Sequence, residues 1–197
     1  MANKDRPMGL KPVKHLNGNP WNGAFNMYRK EVAENFFIGS PVAIAGSSGD
    51  SGKYPLVQLA TASIPILGSV VGFSTTPYLV GDVTDLDRVY SISTEDVYVA
   101  VADDPDLVFE IQEDSSTTFT IAAVGANADL TVESGNTTNG KSTVEIDCAT
   151  EDVTSTLEVK ILRLVAREDN ELGEYSKWEV MINVHPYGQG LGALGYT

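Results

Sequence analysis

The sequence is poor in the side chains that most catalytic and metal sites use. It contains one cysteine, Cys148, and two histidines, His15 and His185, which lie far apart in the chain. A single thiol cannot close an internal disulfide, and one cysteine with two distant histidines cannot complete a zinc site. We therefore expect synthesis in a reducing cytoplasm, without disulfides and without a metal.

Long hydrophobic runs are absent as well. No stretch of about 18 apolar residues occurs, which is the length that marks a membrane-spanning helix. The first twelve residues, MANKDRPMGLKP, lack the apolar core of a signal peptide. The sequence therefore predicts neither a membrane partner nor a secretion signal.

Basic residues are scarce and unevenly distributed along this chain of net charge −14. Residues 1–30 hold six basic side chains against one acid, whereas residues 31–197 hold seven against 26 acids. Such a body should repel phosphates, so we expect no nucleic-acid partner. Residues 1–30 are predicted to be a docking arm for an acidic protein surface, with a mobile solubilising tail as the alternative.

The predicted arm also carries prolines and aromatic residues. Pro7, Pro12 and Pro20 argue against a helix, so an extended arm is expected. Ordering 30 residues costs on the order of 30 kcal/mol, so the arm should be ordered only on a partner or in an oligomer. Exposed aromatics lower solubility, and a free tail has no use for them. The predicted contacts are the basic and aromatic side chains of Lys4, Arg6, Lys11, Lys14, Trp21, Phe25 and Tyr28.

From residue 36 the sequence changes to nine or ten short apolar runs separated by turn residues. This spacing is typical of an all-β protein, an antiparallel sandwich or barrel, which we assign to residues 31–187. In KWEVMINVH (177–185) the apolar residues alternate with polar ones, as in a strand with one buried face. The runs 117–124 and 142–147 are also predicted to be strands, and 188–197 is predicted to be a glycine-rich tail.

The acidic stretch YVAVADDPDLVFEIQED (98–114) could be a carboxylate site or a turn. Two predicted strands flank Asp103-Asp104-Pro105-Asp106, and aspartate before proline is strong turn chemistry. The acids at 113 and 114 lie at the far end of the second strand, about 20 Å away at 3.3 Å per residue. A turn is favoured, and a weak Ca²⁺ site on the three aspartates is the alternative.

Several motifs look catalytic but lack their partners. GDSG (49–52) resembles the surroundings of a protease serine, yet Ser51 has no histidine base in a matching sequence context. GLGALG (190–195) matches GxGxxG, but no helix follows to receive a pyrophosphate. The acids at 82, 85 and 87 and at 168, 169 and 171 lack the spacing of a calcium loop. We predict no enzyme, no cofactor, no catalytic residue and no small-molecule substrate.

Several segments resemble the capsid cement, or head decoration, proteins of tailed bacteriophages. The two most specific phrases are VADDPDLVFEIQ (101–112) and LRLVAREDNELG (162–173). The resembling segments, in the family's order, are NPWNGAFNMYRKE, FFIGSPVAIAG, ILGSVVGF, YVAVADDPDLVFEIQED and KILRLVAREDNELGEYSKWEVMINVH. Together they cover more than half of the chain.

The resemblance implies a structural virion protein without catalytic activity. Such proteins lie on the outer capsid surface, often as homotrimers, and clamp neighbouring subunits of the major capsid protein. Assembly would take place in the cytoplasm of the host bacterium. The alternative is a receptor- or glycan-binding β-module on the virion surface, for which the candidate aromatics are Tyr54, Tyr78, Tyr90 and Tyr187.

Overall fold

Short β-strands form nearly all of the regular structure. The computed structural model describes residues 3–45, 53–62, 64–77, 89–131 and 135–188. The strands are β1 (Lys11–His15), β2 (Asn26–Lys30), β3 (Phe36–Phe37), β4 (Pro41–Ile44), β5 (Leu56–Leu59), β6 (Gly68–Ser74), β7 (Tyr90–Ser91), β8 (Tyr98–Ala102), β9 (Leu107–Gln112), β10 (Asn127–Ala128), β11 (Val159–Leu164) and β12 (Lys177–Ile182). Two 3₁₀ helices, Ile121–Ala123 and Cys148–Thr150, are the helical elements of the described residues. The all-β prediction is confirmed.

A five-stranded antiparallel sheet forms one half of the sandwich-like body, in the order β1-β9-β12-β11-β10. Its inner face carries the alternating apolar residues of β9 and β12, with Trp178, Val180 and Ile182 all buried. The Phe119 ring meets the Trp178 ring edge-on, with the centroids 5.6 Å apart. Burial of these side chains, at about 25 cal/mol per Å², holds the sheet against its neighbours.

The other half is a closed five-stranded barrel in the order β2-β5-β4-β6-β8, in which β2 and β5 pair in parallel. Its strand β8 is apolar on both faces because each face meets a different core. Val99 and Val101 belong to the barrel core, whereas Ala102 packs into the core under the five-stranded sheet. The barrel and the sheet therefore share one strand as a wall between them.

The prediction that residues 1–30 form a separate arm is wrong for the residues that the structure describes. Strand β1 pairs with β9, and β2 closes the barrel between β5 and β8. Leu10 is fully buried and Tyr28 is 4 % exposed. Pro12 is tolerated because β1 lies at the edge of the sheet. On its outer side β1 meets an isolated bridge between Lys14 and Pro20. The segment folds onto its own body because its apolar side chains find partners there.

Two predicted strands are also corrected. Residues 117–124 contain the 3₁₀ helix Ile121–Ala123, which the Thr120 side chain caps at its N-terminus. Residues 142–147 form no regular strand, although Ile146 makes isolated bridges to Glu113 and Leu130. The predicted tail, 188–197, lies outside the described residues except for Gly188.

The N-terminal segment crosses the barrel at a close contact between two glycines. The Leu10 amide donates to the Gly39 carbonyl at 2.9 Å, and Gly9 and Gly39 have φ values of +67° and +88°. A Cβ atom on Gly39 would lie 2.0 Å from the Met8 carbonyl oxygen, so no larger residue fits there. This crossing places residues 5–12 beside the barrel and creates a groove between them.

Candidate protein-binding groove

An apolar hollow of about 290 Å³ lies where the N-terminal segment passes over the barrel. Its walls come from segments far apart in sequence: Met8, Pro12, Trp21, Ile38 and Val71. Lys11 and Lys141 stand at its rim, and both side chains are exposed. The hollow can receive an apolar side chain, with positive charge beside it.

A second, more polar hollow of about 480 Å³ adjoins the first, because both are lined by Met8 and Lys141. Arg6 lines this hollow together with the neutral hydrogen-bonding side chains of Asn136, Asn139 and Thr143. We call the two hollows together the N-terminal groove. Two adjoining hollows suit an extended segment of polypeptide better than a compact small molecule.

The positive charges of the N-terminal groove are not neutralised within the described residues. Arg6, Lys11 and Lys141 make no ion pair with any residue in that part of the chain. Asp5 is the one carboxylate in the lining, and it accepts a hydrogen bond from the Gln112 amide at 2.9 Å. On a chain of net charge −14, three cations beside one anion make a local positive field.

Trp21 is held at the groove by one hydrogen bond from its ring and one from its backbone. Its indole N–H donates to the Ala24 carbonyl at 3.0 Å, and its backbone amide donates to Val13 at 3.1 Å. The ring is half-buried and packs against the core under the five-stranded sheet. Trp21 is therefore a fixed, half-buried wall of the groove.

The structure divides the seven predicted contact residues into different surroundings. Arg6, Lys11 and Trp21 line the N-terminal groove, and Lys4 is exposed nearby in the chain. The Lys14 ammonium is paired with the Glu179 carboxylate at 2.7 Å, so its charge is neutralised within the protein.

Tyr28 was predicted to be a surface contact, and this is wrong because its ring lies in the barrel core. Its hydroxyl donates to the Asp103 carboxylate at 2.5 Å. Burial, together with that carboxylate, raises the pKa of Tyr28 far above its ordinary value. Tyr28 is a buried hydrogen-bond donor of the barrel core.

Met8, Ile38, Val71 and Lys141 are groove residues that the sequence did not reveal. They join Trp21 only through the tertiary fold, since Lys141 lies 120 positions away from it. The one available signal was that Lys141 is an isolated cation in an otherwise uncharged stretch, GNTTNGKST (135–143).

The acidic stretch 103–106 forms a turn, as the sequence predicts. The Leu107 amide donates to the Asp104 carbonyl at 3.1 Å, and the Asp104 carboxylate accepts the Asp106 amide at 2.9 Å. Asp103 is buried and binds Asn26 and Tyr28, whereas the second oxygen of Asp104 lies 3.3 Å from His15. No group of three or more acid, cysteine or histidine side chains in the described residues is placed to hold a metal ion.

A separate hollow of about 430 Å³ combines this acidic turn with aromatic side chains. Tyr187 and Phe25 line it, 51 % and 39 % exposed, together with Asn26, Asp103 and Asp104. We call it the aromatic–acidic pocket. Exposed rings and carboxylates occur together in this hollow.

The other candidate stacking aromatics are engaged or lie outside the described residues. The Tyr54 ring packs edge-on against Tyr98 at 5.3 Å, and Tyr90 stacks on Phe37 at 5.6 Å. Tyr78 lies outside the described residues, as do Ser51 and the acids at 82, 85 and 87.

One buried pair of ionisable groups could be mistaken for a reactive site. Glu113 is fully buried, and its carboxylate lies 3.6 Å from the Cys148 sulfur. Burial raises the pKa of Glu113 and of Cys148, so the neutral thiol is strongly favoured. A thiol that stays protonated and buried is a poor nucleophile, and we assign this pair to the core.

Comparisons of the chain with protein-family models, with curated proteins and with solved structures found no match. A search of the described residues found no helix of the length and hydrophobicity that crossing a membrane requires.

Proposed function

We propose that this chain is a structural virion protein that binds the outside of a phage capsid. In this proposal it clamps neighbouring subunits of the major capsid protein, acts as a homotrimer and performs no chemistry. The observation that carries the proposal is the N-terminal groove, in which an apolar floor and three cations without an ion-pair partner among the described residues occur together on a strongly acidic chain. Such a surface favours binding to an acidic protein.

The resemblance to capsid cement proteins adds independent support. Two of the resembling segments, 19–31 and 36–46, supply Trp21 and Ile38 to the groove walls. Segments that resemble the capsid cement proteins therefore contribute to the positively charged N-terminal groove.

The fold changes how such a clamp would work. Because β1 and β2 belong to the body, the contact surface is ordered before binding. The cost of about 1 kcal/mol per residue for ordering a free arm then does not oppose association. A stable contact still needs more than about 1,000 Å² of total buried area, so the groove would be the centre of a wider interface.

Binding to capsids that lack the protein tests this proposal. Purified particles should retain the wild-type chain on sedimentation, whereas the double variant Lys11→Glu/Lys141→Glu should bind about tenfold more weakly. Lys53→Glu is the matched control, because Lys53 is exposed and lies outside the groove lining. Absence of binding by the wild-type chain would refute the proposal.

Deletion of residues 1–28 is unsuitable as a test. It removes β1 and most of β2, so the barrel would lose the strand that closes it. Failure of the deleted protein to bind would then report unfolding and not the loss of a contact.

The aromatic–acidic pocket favours a second candidate, a glycan-binding β-module. Sugars stack their apolar faces on exposed rings, as Tyr187 and Phe25 provide, and their hydroxyl groups donate to carboxylates such as Asp104. A glycan array should then show binding that Tyr187→Ala abolishes. An array without signal for the wild-type protein would remove this candidate.

A further inference from the structure

We infer that the N-terminal groove binds an extended acidic segment of the partner protein. An apolar side chain of that segment lies on the groove floor, and carboxylates on either side of it meet Arg6, Lys11 and Lys141. The identification of the partner as a capsid subunit rests on the proposed function, whereas the chemistry of the segment comes from the groove itself.

The apolar floor of the N-terminal groove is the reason why the bound segment needs an apolar side chain. Trp21, Ile38 and Val71 are each half-buried, so their remaining exposed surface is apolar and faces a hollow of about 290 Å³. Covering apolar surface is favourable by about 25 cal/mol per Å². A segment made only of charged residues would leave this surface uncovered.

The cations of the N-terminal groove are the reason why the bound segment needs acids beside its apolar side chain. Lys11 and Lys141 border the apolar hollow, and Arg6 lines the polar hollow beyond Met8 and Lys141. A chain that crosses the apolar hollow and continues along the polar one lies beside Lys11 and Lys141 at its anchor and beside Arg6 further along. Asn136 and Asn139 can donate hydrogen bonds to the backbone carbonyls of such a chain.

Two other occupants share part of this chemistry. A nucleic acid would meet the three cations, but the rest of the chain carries a large excess of acids that repel phosphates. The protein's own sequence YLVGDVTDLDR (78–88) also combines aspartates with leucine and valine. The experiment must therefore separate a foreign protein segment from both.

Labelled synthetic peptides provide a direct probe that needs no capsid. One peptide has the core Asp-Leu-Asp, a second has Asn-Leu-Asn, and a third has Asp-Ser-Asp, all in the same neutral flanks. We expect the full-length protein to bind the first peptide about fivefold or more tightly than either of the others. Its affinity should fall as salt is raised, because charges at the rim are screened.

Variants of the protein assign the binding to the groove. Lys11→Glu/Lys141→Glu should weaken binding of the Asp-Leu-Asp peptide about tenfold, and Val71→Thr should weaken it about threefold without a change in side-chain size. Lys53→Glu should leave binding unchanged. Equal binding of all three peptides, or no effect of the double charge reversal, would overturn the inference.

Two further measurements exclude the other occupants. A single-stranded oligonucleotide that binds as tightly as the acidic peptide would overturn the inference in favour of a phosphate ligand. A variant with Asp82, Asp85 and Asp87 changed to asparagine that binds the peptide much more tightly would show that the protein's own segment occupies the groove. That result would also overturn it.

The outcomes for this inference and for the proposed function are distinguishable. Peptide binding without capsid binding would refute the capsid role and leave the groove chemistry standing. Capsid binding without any peptide preference would refute the groove chemistry and leave the capsid role standing.

Discussion

The cations of the N-terminal groove have different surroundings from several cations that lie elsewhere in the described chain. Arg163 and Lys14 share the Glu179 carboxylate at 2.6 and 2.7 Å, and Arg167 meets Glu110 at 2.8 Å. Arg6 and Lys11 have no such partner among the described residues. A cation that is paired or buried contributes to the fold, whereas an exposed one without a carboxylate remains available to another molecule.

The same contrast separates two neighbouring acids. Glu110 on β9 is buried and paired with Arg167, whereas Glu113, just past the end of that strand, is buried without a cationic partner in the part of the chain that the structure describes. One Glu113 oxygen has no hydrogen-bond partner among the described residues. Burial costs free energy unless a charge is paired, so these two acids should respond to substitution in opposite ways.

The largest effect is expected at Lys30, the fully buried cation of the barrel. Its ammonium donates to the Glu34 and Glu31 carbonyls at 2.8 and 3.2 Å and lies 5.5 Å from the Phe36 ring centroid. Lys30→Met should lower the free energy of unfolding by about 2 kcal/mol, because both carbonyls lose their donor. Urea unfolding at neutral pH measures this.

Lys141→Met is the matched control for Lys30→Met. Its ammonium has no partner in the described part of the chain, so its replacement should change the free energy of unfolding by less than about 0.5 kcal/mol. Equal losses for the two variants would contradict the distinction between structural and available cations.

The second effect is expected at Tyr28, which the structure moves from the surface into the barrel. Tyr28→Phe removes the hydroxyl that donates to the Asp103 carboxylate. Asn26 is then the remaining side-chain donor to Asp103 among the described residues. The free energy of unfolding should fall by about 1.5 kcal/mol, as for hydrogen bonds to charged groups. Capsid binding per folded molecule should not change, and a specific loss of binding would contradict the burial of Tyr28.

The sequence predicted those parts of the fold that depend on local alternation. The alternation in LVFEIQ, where Leu107, Phe109 and Ile111 share one face, predicts a strand over residues 107–112, and β9 has those bounds. Strands β1 and β2 were missed because their partners are distant, as in the pairing of Lys11 with Glu110. In those segments prolines and Asn-Gly pairs dominate the local pattern, and only tertiary burial reveals the strands.

The candidate site was predicted from charge and not from geometry. The excess of basic and aromatic residues before position 31 pointed to Arg6, Lys11 and Trp21, which the fold does bring to one groove. It also pointed to Lys14 and Tyr28, which the fold uses internally. Composition identifies which side chains are available in a segment, but pairing and burial decide which of them face a partner.

A stabilising effect is expected from Glu113→Gln. Burial raises the pKa of Glu113 above the unfolded value of about 4.5. The stability that this group contributes is complete below the unfolded pKa and is lost as pH rises through the folded pKa. The variant should lack this loss, so at neutral pH its free energy of unfolding should exceed that of the wild type by on the order of 1 kcal/mol.

Glu110→Gln provides the comparison for Glu113→Gln. At neutral pH it removes a carboxylate that pairs with Arg167 at 2.8 Å, so its free energy of unfolding should decrease. Urea unfolding of both variants at pH 4 and pH 7 measures the signs. Destabilisation of both variants by similar amounts at pH 7 would show that Glu113 is charged and stabilised by groups not yet recognised.

The smallest effect on stability is expected for two lysines of the same strand, β1. Although burial raises the pKa of Glu179, hydrogen bonds from Lys14 and Arg163 hold it below its ordinary value. Lys14→Met should therefore cost about 0.5 kcal/mol at neutral pH, and this cost should disappear as pH falls through the lowered pKa of Glu179. Lys11→Met should leave urea unfolding unchanged at every pH.

Capsid binding should show the reverse order for these two lysines. Lys11 faces the groove without a carboxylate partner among the described residues, so Lys11→Met should weaken binding about threefold at low salt. Lys14→Met should bind as the wild type does once the folded fraction is taken into account, because its charge is already held by Glu179. If Lys14→Met weakened binding more than Lys11→Met, the contact would follow the basic composition of the segment and not the groove. The two lysines are three residues apart on one strand. If Lys14→Met affects only stability and Lys11→Met affects only binding, the binding surface is defined by the fold and not by the basic composition of the segment.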